Sequence, residues 1–269
     1  MPRRWLGLIP VPRLVATQLE RAANDLEPFI VGHRWFISAF IAGVIPLLIA
    51  LAVGSAVHQI ASGMLGFLLL LPALRRDDSF RAVGIVALLF VSHSVVAIAA
   101  SRYWPTATAA AFPGGAEYFD KNLYWIRTGI DPEYIVGNWV PAHFQLLGAM
   151  LFFTIMSLGL APLWQGFHEV DLMNHYVGRL LATSDGSPMS FLFGWHPWSV
   201  CRGICYTLLV VEMGSLSLEG LLGKPLSTRR RRLTRWSIAA AFFCFDCLLK
   251  YFALDFVRNQ LAAHLLSAH

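Results

Sequence analysis

The sequence contains few charged residues. Asp, Glu, Lys and Arg together make up 14% of the 269 residues, whereas 57% are hydrophobic. Soluble domains contain about 25% charged and 45–50% apolar residues. The mean hydropathy is +0.58. These values exclude an ordinary soluble domain and indicate a protein that lies in a membrane.

Motifs that would name a reaction are also missing. The sequence has no phosphate-binding glycine loop, no Gly-x-Ser-x-Gly motif and no His-Glu-x-x-His motif. Its four cysteines lie in apolar segments, where thiols behave as small hydrophobic groups. The net charge of +5 does not indicate a nucleic-acid partner, because the basic residues lie between apolar segments. We expect membrane lipids as partners, and no motif identifies a cofactor or a family.

Long apolar runs are what the sequence has instead. A helix needs about 20 apolar residues to cross a bilayer, and six hydrophobic segments are present. We therefore predict an all-α integral membrane protein with one membrane domain (1–269), a polytopic bundle of five or six transmembrane helices. The segments are 35–57, 60–74, 82–100, 139–163, 188–222 and 236–254. Residues 13–31 form an amphipathic pattern, which predicts a helix on the membrane surface before the first crossing.

The distribution of Lys and Arg predicts the orientation. Five basic residues precede the first segment, and three follow the second (Arg75, Arg76 and Arg81). The positive-inside rule then places the N-terminus on the cytoplasmic side, and we expect the membrane to be an inner or plasma membrane. Residues 101–138 become an external loop, whose many aromatic rings suit the membrane surface. The amphipathic helix predicted over 166–184 falls on the cytosolic side.

Segment 188–222 conflicts with this orientation. It is interrupted at His196-Pro197, and proline breaks helical hydrogen bonding. If the segment crosses once, the basic run 224–235 lies outside, against the charge rule. A re-entrant pair of half-helices would keep that run inside, and non-helical backbone is tolerated where protein or water covers it. We favour the re-entrant arrangement, which also places the C-terminus outside.

One polar stripe is a candidate site. At about 100° per residue, His168, Asp171, His175 and Arg179 share one face of the helix predicted over 166–184. Two imidazoles and a carboxylate are adequate ligands for zinc. Arg179 argues against a metal ion and suits a phosphate or lipid headgroup instead. The alternative is that the stripe is simply the solvent-facing side of the helix.

Two further groups of residues are candidates. His196 and Arg202 flank the helix break, where freed backbone groups favour an anion such as a lipid phosphate. Glu212, Asp246 and Lys250 are ionisable residues inside apolar segments, where charge is costly and a functional role is the default hypothesis. Asp246 and Lys250 are four residues apart on one helix and can pair, and the pair could extend to Glu212.

These patterns support two functions. We expect a non-catalytic subunit of a transport or envelope-assembly complex, which meets other membrane subunits through 166–184 and 224–235. The alternative is a membrane-embedded enzyme that acts on a lipid or lipid-linked substrate at the cytoplasmic face. Its catalytic residues would be His168, Asp171, His175 and His196, and it would depend on a metal ion if these residues bind one.

Overall fold

The computed structural model describes residues 13–130 and 135–266, and the regular secondary structure of these residues is entirely helical. The all-α prediction is confirmed. The helices are α1 (Arg13–Leu26), α2 (Arg34–Val53), α3 (Val57–Arg75), α4 (Ser79–Tyr103), α5 (Pro105–Ala111), α6 (Gly115–Thr128), α7 (Val136–Ser157), α8 (Leu160–Thr183), α9 (Pro188–Gly194), α10 (Pro197–Leu222) and α11 (Arg229–Leu266). A single 3-10 turn, Glu27–Phe29, follows α1.

Six of these helices are long and apolar enough to cross a membrane: α2, α3, α4, α7, α10 and α11. The protein is therefore a multi-pass membrane bundle, as predicted. One predicted segment, 139–163, has the wrong end. Helix α7 ends at Ser157 because Leu158 and Gly159 adopt positive φ angles of 56° and 98°, and Leu163 already belongs to α8.

Helix α8 is a seventh long helix inside the bundle. It packs along α4 and α3 and, near its C-terminal end, on α6. Gly166 lies against Phe90 and Gly178 against Ser101, so α8 runs parallel to α4. Its 24 residues span about 36 Å at 1.5 Å per residue. The polar residues of α8 keep it out of the group of apolar candidate spans.

The bundle has two distinct ends. At the α1 end, Arg75 on α3 donates a hydrogen bond to Asn24, and Lys224 pairs with Glu20 at 3.1 Å. Arg231, near the start of α11, pairs at 3.1 Å with Asp77 in the α3–α4 turn. The opposite, α6 end contains α5, α6, the C-terminal end of α8, α9 and the last turns of α11.

Segment 188–222 runs from one end of the bundle to the other. Gly186, just before α9, lies against Arg102 at the α6 end, whereas Glu219 of α10 pairs with Arg232 at the α1 end. The re-entrant arrangement that we favoured is therefore wrong. Helix α8 also runs along the bundle, parallel to α4, whereas the sequence analysis kept 166–184 on one side. The basic run lies at the same end of the bundle as Arg75 and Arg76.

The predicted positions of 101–138 and 166–184 on opposite sides cannot both hold, because α6 packs on α8. Residues 101–138 form α5, α6 and their connections. Phe112, Phe119 and Trp125 are buried in the protein, while Tyr103 and Trp104 are exposed. Of the five basic residues that precede the first predicted segment, Arg3 and Arg4 lie outside the described residues, and so does Tyr134 among the aromatic residues of 101–138.

Candidate functional site

A buried polar centre joins three helices at the core of the bundle. The carboxylate of Asp171 on α8 lies 2.7 Å from Nε2 of His58 through Oδ2 and 2.6 Å from Nε2 of His93 through Oδ1. Gln59 donates to Oδ2 at 2.8 Å. His58 and Gln59 come from the first turn of α3, and His93 comes from α4. All four side chains are buried, and Asp171 and His93 are fully inaccessible.

Helix packing places these groups together. Helix α2 approaches α4 at Gly43, whose carbonyl oxygen lies 3.2 Å from Nδ1 of His93. The two imidazole rings stack with centroids 5.6 Å apart, Phe112 contacts the ring of His58, and Phe167 contacts the ring of His93. The centre is thus surrounded by apolar groups. His58, His93 and Asp171 are the one group among the described residues whose ligand atoms, all within 4.8 Å, could hold a metal ion.

The predicted polar stripe is divided in the structure. Asp171 and His175 are buried, so the interpretation as a solvent-facing side is wrong for these two residues. His175 lies against Gly115 and Phe112 of the α5–α6 region. Arg179 is half-buried and stacks over the ring of Phe119 at 5.8 Å. His168, also half-buried, does not belong to the metal-competent group.

His196 does not join Asp171 either. Its ring is buried and stacks on Trp198 with centroids 4.7 Å apart, and it also contacts Tyr176 and Trp125. The four residues proposed for catalysis therefore form no common site. Asp171 instead takes its partners from α3 and α4, a connection that the sequence did not reveal.

A second polar cluster lies between α7, α10 and α11. Arg202 binds the buried carboxylate of Asp246 through two hydrogen bonds of 3.0 and 3.1 Å, the strong bidentate geometry of arginine. It also contacts Nε2 of His143. Lys250, one turn beyond Asp246, lies 5.2 Å from the ring centroid of Trp139. Pairing between helices thus neutralises Asp246, a partnership that spacing within α11 does not reveal.

Glu212 belongs to neither cluster. Its two carboxylate oxygens each lie 2.6 Å from an arginine, Arg232 and Arg235, at the α1 end. The predicted extension of the Asp246–Lys250 pair to Glu212 is therefore wrong. Glu219 pairs with Arg232 as well and accepts hydrogen bonds from the backbone of the α10–α11 turn. Arg232 and Arg235 thus hold the start of α11 against α10, whereas Arg229 and Arg230 are exposed.

A large cavity lies beside these clusters. Its volume is about 1040 Å³, and its walls are formed by residues within 83–103 of α4, 162–181 of α8 and 198–210 of α10, with contributions from α6, α7, α9, the α9–α10 connection and α11. We call it the α4–α10 slot. Most of the wall is hydrophobic, and several wall residues are exposed, which opens the slot sideways. Its ionisable and tyrosine residues are Arg102, Tyr103, Tyr118, Glu169, His196, Arg202, Tyr206 and Lys250.

The sequence analysis missed His58, Gln59 and His93 as site residues. His93 lies in the apolar segment 82–100, where a polar side chain requires a partner, whereas His58 and Gln59 fall between the predicted segments 35–57 and 60–74 and gave no such signal. The signal for His93 did not show which partner. The partners in the centre are separated by 78 to 113 residues along the chain.

A scan against family models gave no match, and comparisons with curated proteins and with solved structures gave none either. The polar centre and the α4–α10 slot are therefore the features of the protein that bear on its function.

Proposed function

We propose that the protein is a non-catalytic membrane subunit that binds a lipid or lipid-linked molecule in the α4–α10 slot, within a transport or envelope-assembly complex. The slot is the observation that carries this proposal. Its volume of about 1040 Å³ is at the upper limit of small-molecule pockets. Along α4 it extends from residue 83 to residue 102, about 28 Å at the rise of a helix. This length approaches the ~30 Å hydrocarbon core of a bilayer.

The opening of the slot suits an occupant that arrives from the membrane. Val91 and Val95 of α4 and Val200 of α10 line the slot and are exposed. These residues would face lipid chains in a bilayer, so an acyl or prenyl chain could enter between the helices without crossing water. The hydrophobic walls would exclude a purely polar ligand.

The charges of the slot favour an anionic headgroup. The slot is lined by three basic residues, Arg102, Arg202 and Lys250. Among the described wall residues, the acidic one is Glu169. Asp246 balances Arg202. Counted together with Asp246, the charged residues of the slot carry a net positive charge. Basic pockets between membrane helices recognise anionic headgroups.

Filling the slot tests the proposal. Gly203 of α10 lines the slot, and a Cβ atom there meets nothing within 4 Å. We expect Gly203→Trp to reduce the phospholipid that co-purifies with the full chain at least threefold, because the indole ring occupies the slot. The measurement is lipid mass spectrometry, normalised to protein, followed by titration with phosphatidylglycerol and phosphatidylcholine.

The matched control is Gly148→Trp. Gly148 is also an exposed helical glycine with open space around it, but it lies on α7 outside the slot. This variant should retain the wild-type lipid. Equal lipid in both variants, or a wild-type protein that retains none, would contradict the proposal. Arg102→Gln should lower the preference for phosphatidylglycerol over phosphatidylcholine while leaving total binding largely intact.

The orientation is a further part of the proposal. If α8 also crosses the membrane, Arg75, Arg76 and the basic run 224–235 all lie on the side of the α1 end. By the positive-inside rule, that side is the cytoplasmic side of an inner or plasma membrane. In a background with the four cysteines changed to serine, we expect Thr228→Cys to react with an impermeant maleimide only from the cytoplasmic side. Thr183→Cys should react only from the opposite side. Labelling of both from one side would contradict the crossing by α8.

Participation in a complex is proposed from the surface of the bundle. Helix α7 is the least buried of the six candidate spans, and its exposed residues include Phe144, Phe152, Phe153 and Met156. Native mass spectrometry of the protein extracted from its own membrane would show the partner subunits. We do not propose the enzyme alternative, because its four residues are not brought together.

A further inference from the structure

The polar centre of His58, His93 and Asp171 contains one arrangement that needs an added positive charge. Nδ1 of His93 lies 3.2 Å from the carbonyl oxygen of Gly43. A carbonyl oxygen only accepts hydrogen bonds, so Nδ1 must carry the proton. Neutral His93 then directs the lone pair of Nε2 at Oδ1 of Asp171, only 2.6 Å away. Two lone pairs at this distance repel each other, so one positive charge must be added: either a proton that turns His93 into an imidazolium, or a metal ion that accepts the same lone pairs.

The same carboxylate faces a second imidazole. Nε2 of His58 lies 2.7 Å from Oδ2 of Asp171, and Nδ1 of His58 is buried without a hydrogen-bond partner. The two imidazole nitrogens and the carboxylate lie within 4.8 Å of one another. Two histidines and one carboxylate form a ligand set used for zinc and for non-haem iron.

We propose that the polar centre binds one divalent first-row transition-metal ion, with Nε2 of His58, Nε2 of His93 and the carboxylate of Asp171 as ligands. The side-chain amide of Gln59, whose nitrogen is 2.8 Å from Oδ2, can offer its oxygen as a fourth ligand after rotation by 180°. The site is separate from the α4–α10 slot, whose wall includes none of these four residues.

The surroundings of His93 match those of a metal-bound histidine. Metal-bound histidines commonly donate their second nitrogen to a backbone carbonyl, as His93 does to Gly43, and this contact fixes the ring. Phe112 and Phe167 cover the rings and exclude water. With tetrahedral bonds of about 2.1 Å, two ligand atoms lie about 3.4 Å apart. The distances of 2.6 and 2.7 Å between the histidine Nε2 atoms and the carboxylate oxygens of Asp171 must therefore increase by less than about 1 Å.

The ion would tie three helices together. His58 belongs to α3, His93 to α4 and Asp171 to α8. The carboxylate cancels one of the two charges, and the imidazoles disperse the other. Since the ligands lie on separate helices, the ion would stabilise the folded bundle and would bind weakly to an unfolded chain.

Metal analysis of the full chain tests this inference. The protein is purified in mild detergent without chelator, and its metals are measured by mass spectrometry. It is then stripped with a chelator and titrated separately with Zn²⁺, with Fe²⁺ under anaerobic conditions and with Mg²⁺. We expect about one equivalent of Zn²⁺ or Fe²⁺ per chain, no response to Mg²⁺, and a higher melting temperature on binding. The two transition-metal titrations decide which ion is preferred.

Three variants locate the site. His93→Gln and Asp171→Asn should lose the bound equivalent and the metal-dependent rise in melting temperature. His175→Gln is the control, because His175 is also buried on α8 but is not part of the ligand group; it should bind as the wild type does. Co²⁺ binding to the wild type provides a readout that does not depend on variant folding, since nitrogen and oxygen ligands in tetrahedral geometry give intense visible bands. A stripped wild-type protein that binds no equivalent and gives no such bands, or His93→Gln that binds normally, would overturn the inference.

Discussion

Asp246→Ala is expected to destabilise the protein by about 3–5 kcal/mol, since it leaves a partly buried arginine without its carboxylate. Asp246 is fully buried and accepts two hydrogen bonds from Arg202. His143 and Lys250 lie close by and cannot replace the lost negative charge. The free energy of unfolding can be measured by titration with sodium dodecyl sulfate in mixed micelles, followed by tryptophan fluorescence.

Two comparisons separate this charge effect from a general loss of packing. Asp255→Ala removes an exposed carboxylate from the same helix and should change the stability by less than about 0.5 kcal/mol. The double variant Arg202→Met/Asp246→Leu replaces both charges by apolar groups and should recover most of the loss, because well-packed apolar pairs often equal buried ion pairs. If Asp246→Ala were as stable as Asp255→Ala, the ion pair between Arg202 and Asp246 would not contribute to the stability of the fold.

Gly178→Leu is expected to disrupt the contact between α4 and α8, at a cost of about 3 kcal/mol or more, at the upper end of overpacking effects. A Cβ atom at residue 178 would lie 2.5 Å from Cβ of Ser101 and 2.6 Å from the carbonyl oxygen of Ile98. The obstacle is largely the backbone of α4, which no change of rotamer can move. The two helices must separate, and the contacts of Asp171 with His93 must weaken with them.

Gly148→Leu is the matched control for Gly178→Leu. It introduces the same side chain at a helical glycine with nothing within 4 Å. It should be neutral or stabilising by up to about 1 kcal/mol, since glycine is a poor helix former. Thermal unfolding followed by circular dichroism compares the two variants. Similar melting temperatures would mean that the α4–α8 contact is looser than the structure indicates.

The apolar helices could be predicted from the sequence because hydropathy is a local property. Each predicted segment corresponds mainly to one long helix, apart from 188–222, which divides into α9 and α10, and 139–163, which runs from α7 into the start of α8. The break between α9 and α10 follows from Pro197, as the sequence indicated. Arg75, Arg76 and the run 224–235 lie together at the α1 end, so the basic residues that the charge rule assigns to one side do share one end of the bundle.

Helix α8 could not be recognised as part of the bundle by the same means. Its polar side chains resemble the solvent-facing side of a surface helix, because the sequence does not show that His58, Gln59 and His93 satisfy Asp171. If α8 crosses the membrane, as we propose, leaving it out reverses the side of every later segment, and this produced the re-entrant interpretation of 188–222. Arg202 and Asp246 show the same limitation, since 44 residues separate the two partners.

The position of Asp171 has a consequence for the order in which the chain is assembled. A lone carboxylate on an isolated helix is poorly accepted by lipid, so α8 is not suited to enter the bilayer on its own. Its partners on α3 and α4 are synthesised earlier and lie in the more apolar helices, which can insert first. During biogenesis α3 and α4 would form a template on which α8 packs as it enters the membrane. A chain without His58 and His93 would leave α8 unpacked at the translocon or exposed to proteolysis.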